Sequence, residues 1–348
     1  MKRIGHITNR SGEQVTLLEA MAEYGNIQIA YNKARKCKRY RKDVLIFTKD
    51  KEENLERVRC ELVSLSYQPG AYRYFKVYEP KERQIMALPF YDRVVQHAVN
   101  NVLEPIFNRR FIYHSYACRK EKGMHAASTV LKSWLFSWEK YNPEKPLYAI
   151  KADVHHYFQS IDHATLKAEI RRIIKDKGAL ALIDRIIDHN GNLPEGIGIP
   201  VGNLTSQLFA NIYLNKLDQF IKHTLGADKY VRYMDDFIIL SPDKERLREW
   251  LAQIEGFLRR ELKLELNPKT TILSAKNGID FVGYKHRATH KKLRPISVKR
   301  MKRKIRHYQS GKITKEQLQK SLSSFAGHAS HADSYHLQKK IAALVAAA

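Results

Sequence analysis

Residues Tyr230–Leu240, Tyr-Val-Arg-Tyr-Met-Asp-Asp-Phe-Ile-Ile-Leu, set two adjacent carboxylates between two apolar runs. Val231, Tyr233, Phe237 and Ile239 alternate with other residues as half-buried strands do, so the stretch predicts a hairpin with Asp235 and Asp236 at its turn. Burying either acid within a strand costs several kcal/mol unless its charge is neutralised. A tight turn keeps both in water, and Asp is common in turns for that local reason. An acid pair on a rigid hairpin is equally well placed to hold a divalent cation. Which reading applies depends on the carboxylates and cations elsewhere in the chain.

The charge balance narrows the partners. Lys plus Arg number 62 against 36 Asp plus Glu, a formal charge of +26 over 348 residues. Such an excess calls for a polyanion, nucleic acid first and an anionic membrane surface second. With 43 % hydrophobic and 10 % aromatic residues the chain is globular, and long enough for two or three domains. No apolar run approaches the ~20 residues of a membrane span, and the N-terminus lacks a signal-peptide core. Cys37, Cys60 and Cys118 are scattered, which argues against a zinc site or a disulfide framework. The expectation is a cytoplasmic protein with reduced thiols and no membrane partner.

Along the chain, periodicity predicts helices over 13–34, 51–66, 91–108, 125–135, 164–189, 204–224, 243–262 and two in 314–346. Strands are expected at 72–78, 147–150 and 280–284, and a strand-like piece with a turn at 264–270. The basic run Lys33–Lys42, which includes Tyr40, suits a phosphate backbone, and residues Arg294–His307 are intensely basic. Ser115–Gly123 reads as a cationic loop entering a helix, a place where free N–H groups favour phosphate. Asp153 closes the short apolar strand and supplies the further carboxylate that the hairpin needs. His155 and His156, adjacent on a strand, would face opposite ways and are not read as joint ligands. Gly191–Asn203 is a glycine-rich entry to the next helix, where backbone can approach a ligand closely.

In this order, Asp153, the glycine-rich loop and helix, Tyr233-Met234-Asp235-Asp236, a lysine strand and Phe281-Val282-Gly283-Tyr284 resemble the palm of reverse transcriptases. Arg83 and Ser115–Gly123 resemble two fingers motifs of that family, and the likeness covers roughly 70–290. It implies an α+β right-hand polymerase of fingers, palm and thumb, with a ferredoxin-like antiparallel palm sheet and a helical thumb. The expected division is 1–145 fingers with a basic helical extension, 146–289 palm with a helical insertion near 164–196, and 290–348 thumb. Val201 stands where most relatives carry glutamine, and Ser206-Gln207 replaces Ser-Pro. Both departures resemble the reverse transcriptases of diversity-generating retroelements, as do the runs Val77–Lys81, Asp92–Ala98, Leu204–Asn211 and Ser324–Ala329. At 348 residues, the maturase and endonuclease additions common in group II intron enzymes are not expected.

The resemblance implies nucleotidyl transfer on two Mg²⁺ ions about 3.5–4 Å apart, with Mn²⁺ able to substitute. Asp153 and Asp235 would be shared ligands, joined by Asp236 and the Val154 carbonyl, and Lys269 would protonate pyrophosphate. Arg83 and Arg119 would hold the dNTP triphosphate. Phe158 would be the steric gate against a ribose 2′-OH, and Val201, Gly202 and Gln207 would border the nucleotide. Tyr233, Met234, the Phe281, Gly283 and Tyr284 grip, and the thumb cations Arg300, Lys302 and Arg303 would meet primer and template. Partners implied are template RNA, the RNA/cDNA duplex, dNTPs and a small basic helical accessory protein oligomer. With Val201 replacing a polar group, low-fidelity copying opposite adenine is expected. The rivals are an accurate retron or group II-like enzyme, a silent reverse-transcriptase scaffold serving RNA binding or defence, and a structural RNA-binding subunit.

Overall fold

The computed structural model describes residues 3–9, 12–78 and 82–347. Glu79, Pro80 and Lys81, part of one run that carries the resemblance, lie outside the described residues. The chain forms two compact units that interleave in sequence. One comprises Met1–Tyr113, Val154–Phe220 and Ile254–Leu266, the other His114–Asp153, Ile221–Gln253 and Asn267–Ala348.

The second unit is built on a five-stranded sheet. Its spatial order is Ser115–Tyr116, Lys229–Tyr233, Asp236–Ser241, Tyr148–Asp153, Thr271–Ser274. The expected hairpin is present, with Tyr233 paired to Asp236. It is not half-buried, however. Ile238 and Ile239 point to opposite faces and both are fully buried, because the strand is covered on both sides. The inner pairings are antiparallel, as expected, but Ser115–Tyr116 is a parallel edge strand rather than a loop. Two contacts hold that edge: Arg232 N–H donates to the His114 carbonyl, and the Arg232 guanidinium reaches Ser115 Oγ. The strand Thr271–Ser274 was not anticipated; of the strand-like piece with a turn expected at 264–270, the turn is present and the strand is reduced to one bridge, Leu266 to Val154.

A second, three-stranded antiparallel sheet, Ile279–Phe281, Tyr284–His286 and Lys291–Leu293, shares one apolar core with the first. The helix Met124–Tyr141 seals that core with Ala127, Leu131 and Leu135. Three helices follow, Pro295–Gln309, Lys315–Ala329 and Tyr335–Ala346, around a small core of Met301, Ile305, Leu318 and Ile341.

The first unit is mainly helical. The helix expected at 13–34 is broken: Gln14–Thr16 is a strand and Thr16 caps the helix Leu17–Ala22 with a capping box to Glu19. Extended backbone at Glu23 then separates it from Tyr24–Ala34. Arg73–Val77 pairs with Arg83–Ala87 as an antiparallel hairpin. The helix Phe90–Asn108 buries Asp92, which accepts from the Tyr67 hydroxyl at 2.7 Å and the Gly70 N–H at 3.0 Å. Its Gln96 Oε1 accepts from the first N–H of the helix Leu204–Gln219, at 3.1 Å. That helix ends five residues early, in a π-helical turn Phe220–Thr224. Among the described residues, no helix is long and apolar enough to cross a membrane.

Candidate active site

The carboxylates are placed by strand register. Asp153, the last residue of its strand, lies directly opposite Asp236, the first residue of the neighbouring one. The two-residue turn is Met234-Asp235, with Met234 in the left-handed region at φ 57°. The acids therefore do not share the tip. Asp235 occupies the turn, whereas Asp236 begins the return strand and Asp153 faces it across the sheet.

This register has an electrostatic cost. Asp236 is half-buried, its Oδ1 is enclosed, and that oxygen has no hydrogen-bond partner. Burial pushes its carboxyl up to about 7; Lys151 and Arg294 oppose the shift, and the charges of Asp153 and Asp235 add to it. Asp153 is better provided for. Its carbonyl accepts from the Asn267 N–H at 2.7 Å, and its Oδ2 accepts from Asn267 Nδ2 at 3.2 Å.

Two supporting residues escaped the sequence reading. Asn267 orients Asp153 from both backbone and side chain. Arg232 is fully buried, and its guanidinium donates to the Met234 carbonyl at 2.7 Å and to Ser115 Oγ at 3.1 Å, bracing the turn from beneath. A charge at an inward position of an otherwise apolar strand was the signal available for Arg232. Asn267 offered only its place before Pro268.

The donor set suits a hard divalent cation. Carboxylates at facing and adjacent positions, one with an orphaned enclosed oxygen, are what Mg²⁺ or Mn²⁺ would neutralise. Among the described residues, no three His, Cys, Asp or Glu side chains are already drawn into a metal cage.

The remaining predicted residues divide between the units. In the second unit, Arg119 Nη1 donates to the Ser115 carbonyl at 2.7 Å, on the edge strand beside the hairpin. Lys269 is exposed in the turn after Asn267, whose Oδ1 accepts from the Lys269 N–H. Tyr233 and Met234 are half-buried at the hairpin. Phe281 and Tyr284 are fully buried. Their rings are therefore not available to a primer, a correction to the expected contacts, while Gly283 in the turn between them is half-buried. Arg300 and Lys302 are half-buried and Arg303 exposed on the helix Pro295–Gln309.

In the first unit, the Phe158 carbonyl accepts from the Ile199 N–H at 2.8 Å, tying the half-buried ring's backbone to the glycine-rich loop. The Val201 carbonyl accepts from the Met86 N–H at 3.2 Å. Gly202 has φ 126°, and a Cβ there would stand 2.8 Å from the Met86 carbonyl, so only glycine fits. Gln207 is exposed on the first turn of its helix and Val154 is buried, bridged to Leu266. Arg83 starts the strand that receives Val201, while its side chain lies outside the described residues. Phe158, Val201, Gly202 and the Arg83 strand are thus brought together, as are Asp153, Asp235 and Asp236.

A strand-end aspartate thus faces an Asp-Asp hairpin on a largely antiparallel sheet, in a unit that ends in a helical C-terminal module. The family model described as reverse transcriptase (RNA-dependent DNA polymerase) matches residues 76–286, and the chain belongs to that family. It is 29 % identical over 283 residues to protein YkfC of Escherichia coli (strain K12), covering 69 % of this chain and 72 % of that one. It is 25 % identical over 304 residues to the group II intron-encoded protein LtrA of Lactococcus lactis subsp. cremoris, covering 67 % of this chain but only 49 % of LtrA. The chain thus spans about half the length of that intron-encoded relative. Among solved structures, apo telomerase from Candida tropicalis, truncated from its C-terminal domain, shares the fold at TM-score 0.50 and 15 % identity, over 65 % of this chain and 55 % of that one.

Proposed function

We propose that this chain copies an RNA template into cDNA, with Asp153, Asp235 and Asp236 as the ligands of two Mg²⁺ ions. The observation that carries the reading is the register that sets Asp153 opposite Asp236, whose enclosed Oδ1 has no partner. The ions would supply polarisation of the primer 3′-OH and charge neutralisation at the triphosphate. Asn267 holds Asp153 in place, Arg232 holds the turn, and the Val154 carbonyl is the further oxygen ligand. Arg83 and Arg119 take the triphosphate, Lys269 gives a proton to pyrophosphate, and Phe158 excludes the 2′-OH. Residues 1–145, 146–289 and 290–348 act as fingers, palm and thumb of a cytoplasmic enzyme. The charge of +26 supports an RNA and RNA/cDNA duplex partner, with Arg300, Lys302 and Arg303 on its backbone.

A finer reading is that the enzyme serves a diversity-generating retroelement and copies adenine inaccurately, alongside a small basic helical accessory protein. Val201 supports it: a branched apolar side chain stands where a polar one would hydrogen-bond, and loss of such a group relaxes selection against wrong pairs. The relationship to LtrA supports an accurate enzyme of the group II type instead.

Primer extension by the purified protein on RNA, with dNTPs and Mg²⁺, tests both. Extension lost in Asp235→Ala supports the polymerase. Errors concentrated opposite adenine and reduced in Val201→Gln support the finer reading, and an unchanged error spectrum removes Val201 as its cause. Extension retained by Asp235→Ala would contradict the assignment.

A further inference from the structure

The turn joining Ile279–Phe281 to Tyr284–His286 is held from behind. Val282 (φ 41°) and Gly283 (φ 89°) are both left-handed, the geometry of a two-residue hairpin turn. A Cβ on Gly283 would stand 3.1 Å from His328 Cε1 and 3.3 Å from its Nε2, so the imidazole lies against the turn backbone. His328 belongs to the last turn of the helix Lys315–Ala329. The buried Tyr284 hydroxyl donates to the His328 carbonyl at 2.9 Å, and it lies 2.9 Å from His328 Nδ1 and 3.5 Å from His125 Nδ1. The Tyr284 and His328 rings stack at 4.4 Å and 26°. One helix end is therefore fastened to one turn by a ring stack, paired hydrogen bonds and a close approach that only glycine permits.

We infer that His328 is a positioning residue, which through Tyr284 and Gly283 fixes the Val282-Gly283 backbone against which the primer strand lies. The inference rests on the polymerase reading above. Because Phe281 and Tyr284 are fully buried, any contact between this turn and a nucleic acid falls to backbone, and backbone goes where its support holds it. The same fastening sets the start of the basic helix, since the Arg294 N–H donates to the Gly283 carbonyl at 3.4 Å just before Pro295–Gln309. A clamp of this kind acts on how long and where the primer end is held, and leaves the chemistry at the carboxylates untouched.

The test is primer extension on an RNA template with His328→Ala, His328→Asn and wild type, alongside duplex affinity and thermal unfolding. His328→Ala should raise the primer–template KM about tenfold, the size of one or two lost hydrogen bonds. It should also shorten products per binding event, with kcat for the first nucleotide unchanged. His328→Asn, which keeps a polar group at the Nδ1 position, should recover most of the loss. Tyr284→Phe should weaken duplex binding, and adding His328→Ala to it should weaken binding little further. Wild-type KM and product length in His328→Ala would overturn the inference. So would additive losses in the double variant, or a loss confined to kcat. If the wild type itself fails to extend any primer, the polymerase reading falls. The clamp is then judged by RNA/DNA duplex affinity alone, where equal binding by wild type and His328→Ala overturns it.

Discussion

The Tyr233–Asp236 hairpin and the Phe281–Tyr284 turn are built alike and provisioned oppositely. Each joins antiparallel strands of the second unit through two residues, and each accepts a left-handed non-glycine residue, Met234 in one and Val282 in the other. At the second turn the polar group just past the bend, the Tyr284 hydroxyl, has several partners within hydrogen-bond reach. At the first, the corresponding group, Asp236, keeps an enclosed oxygen with none and faces Asp153 across the sheet. A fully satisfied turn fixes a position; an unsatisfied one keeps ligand capacity in reserve. Strain and unpaired charge persist where function uses them.

The sharpest way to break this contrast is Asp236→Asn. The folded carboxyl titrates near 7 and the unfolded one near 3.8, so above pH 7 the native state carries an ionised group that it disfavours. Without metal at pH 8, the substitution should raise unfolding free energy by up to about 4 kcal/mol. Extension should meanwhile fall by at least about a hundredfold, as for a lost metal ligand. Urea unfolding beside extension assays measures both. A destabilised Asp236→Asn would mean that the carboxylate is satisfied after all.

Arg232→Met removes the donors beneath the turn while keeping much of the buried bulk. It should cost roughly 2–4 kcal/mol, from polar groups left unpaired. A loosened turn should also slow extension about a hundredfold, read from single-turnover rates. Wild-type rates in this variant would show that the turn is rigid without its brace.

The satisfied side of the comparison predicts acid lability. His286 Nε2 lies 2.8 Å from Ser128 Oγ and its Nδ1 3.2 Å from the Ile279 carbonyl, and burial pushes its pKa down to about 4. Burial does the same for His97. Unfolded histidines take a proton near 6.5, so between pH 6.5 and 4 the unfolded state binds more protons and stability falls as pH drops. His286 contributes up to about 3 kcal/mol to that fall and the more exposed His97 less, and neither matters above pH 7. Unfolding curves at pH 7.5, 5.5 and 4.5 should flatten in His286→Gln.

Gly202→Ala is the smallest test and probes the other unit. With φ 126° and the Met86 carbonyl 2.8 Å from the new Cβ, it should cost roughly 1–3 kcal/mol. Thermal unfolding measures it, and a neutral result would mean that the loop can move away from the strand.

Much of this was legible in the sequence, for definite reasons. The hairpin showed because its apolar runs flank two acids, and Asp153 because a strand ended on it. What the sequence did not show depended on long-range pairing. Nothing local tells that Asp236 would leave the turn tip for the strand opposite Asp153, since a register shift of one residue turns every side chain over. The Ser115–Tyr116 edge strand depends on Arg232, more than a hundred residues away. Phe281 and Tyr284 matched a grip motif, yet only packing reveals that their rings face the core. The start of the first helix at Leu17 had a signature, the Thr16–Glu19 capping box, that periodicity overrode.

The most direct test of the account is a metal titration. Wild type, Asp235→Ala and Asp236→Asn would be unfolded thermally at pH 8 across increasing Mg²⁺ and Mn²⁺, with primer–template present. The account predicts that wild type gains stability with metal while both variants stay flat, so that the advantage of Asp236→Asn seen without metal disappears. Equal responses by all three proteins would show that Asp235 and Asp236 do not hold the ions.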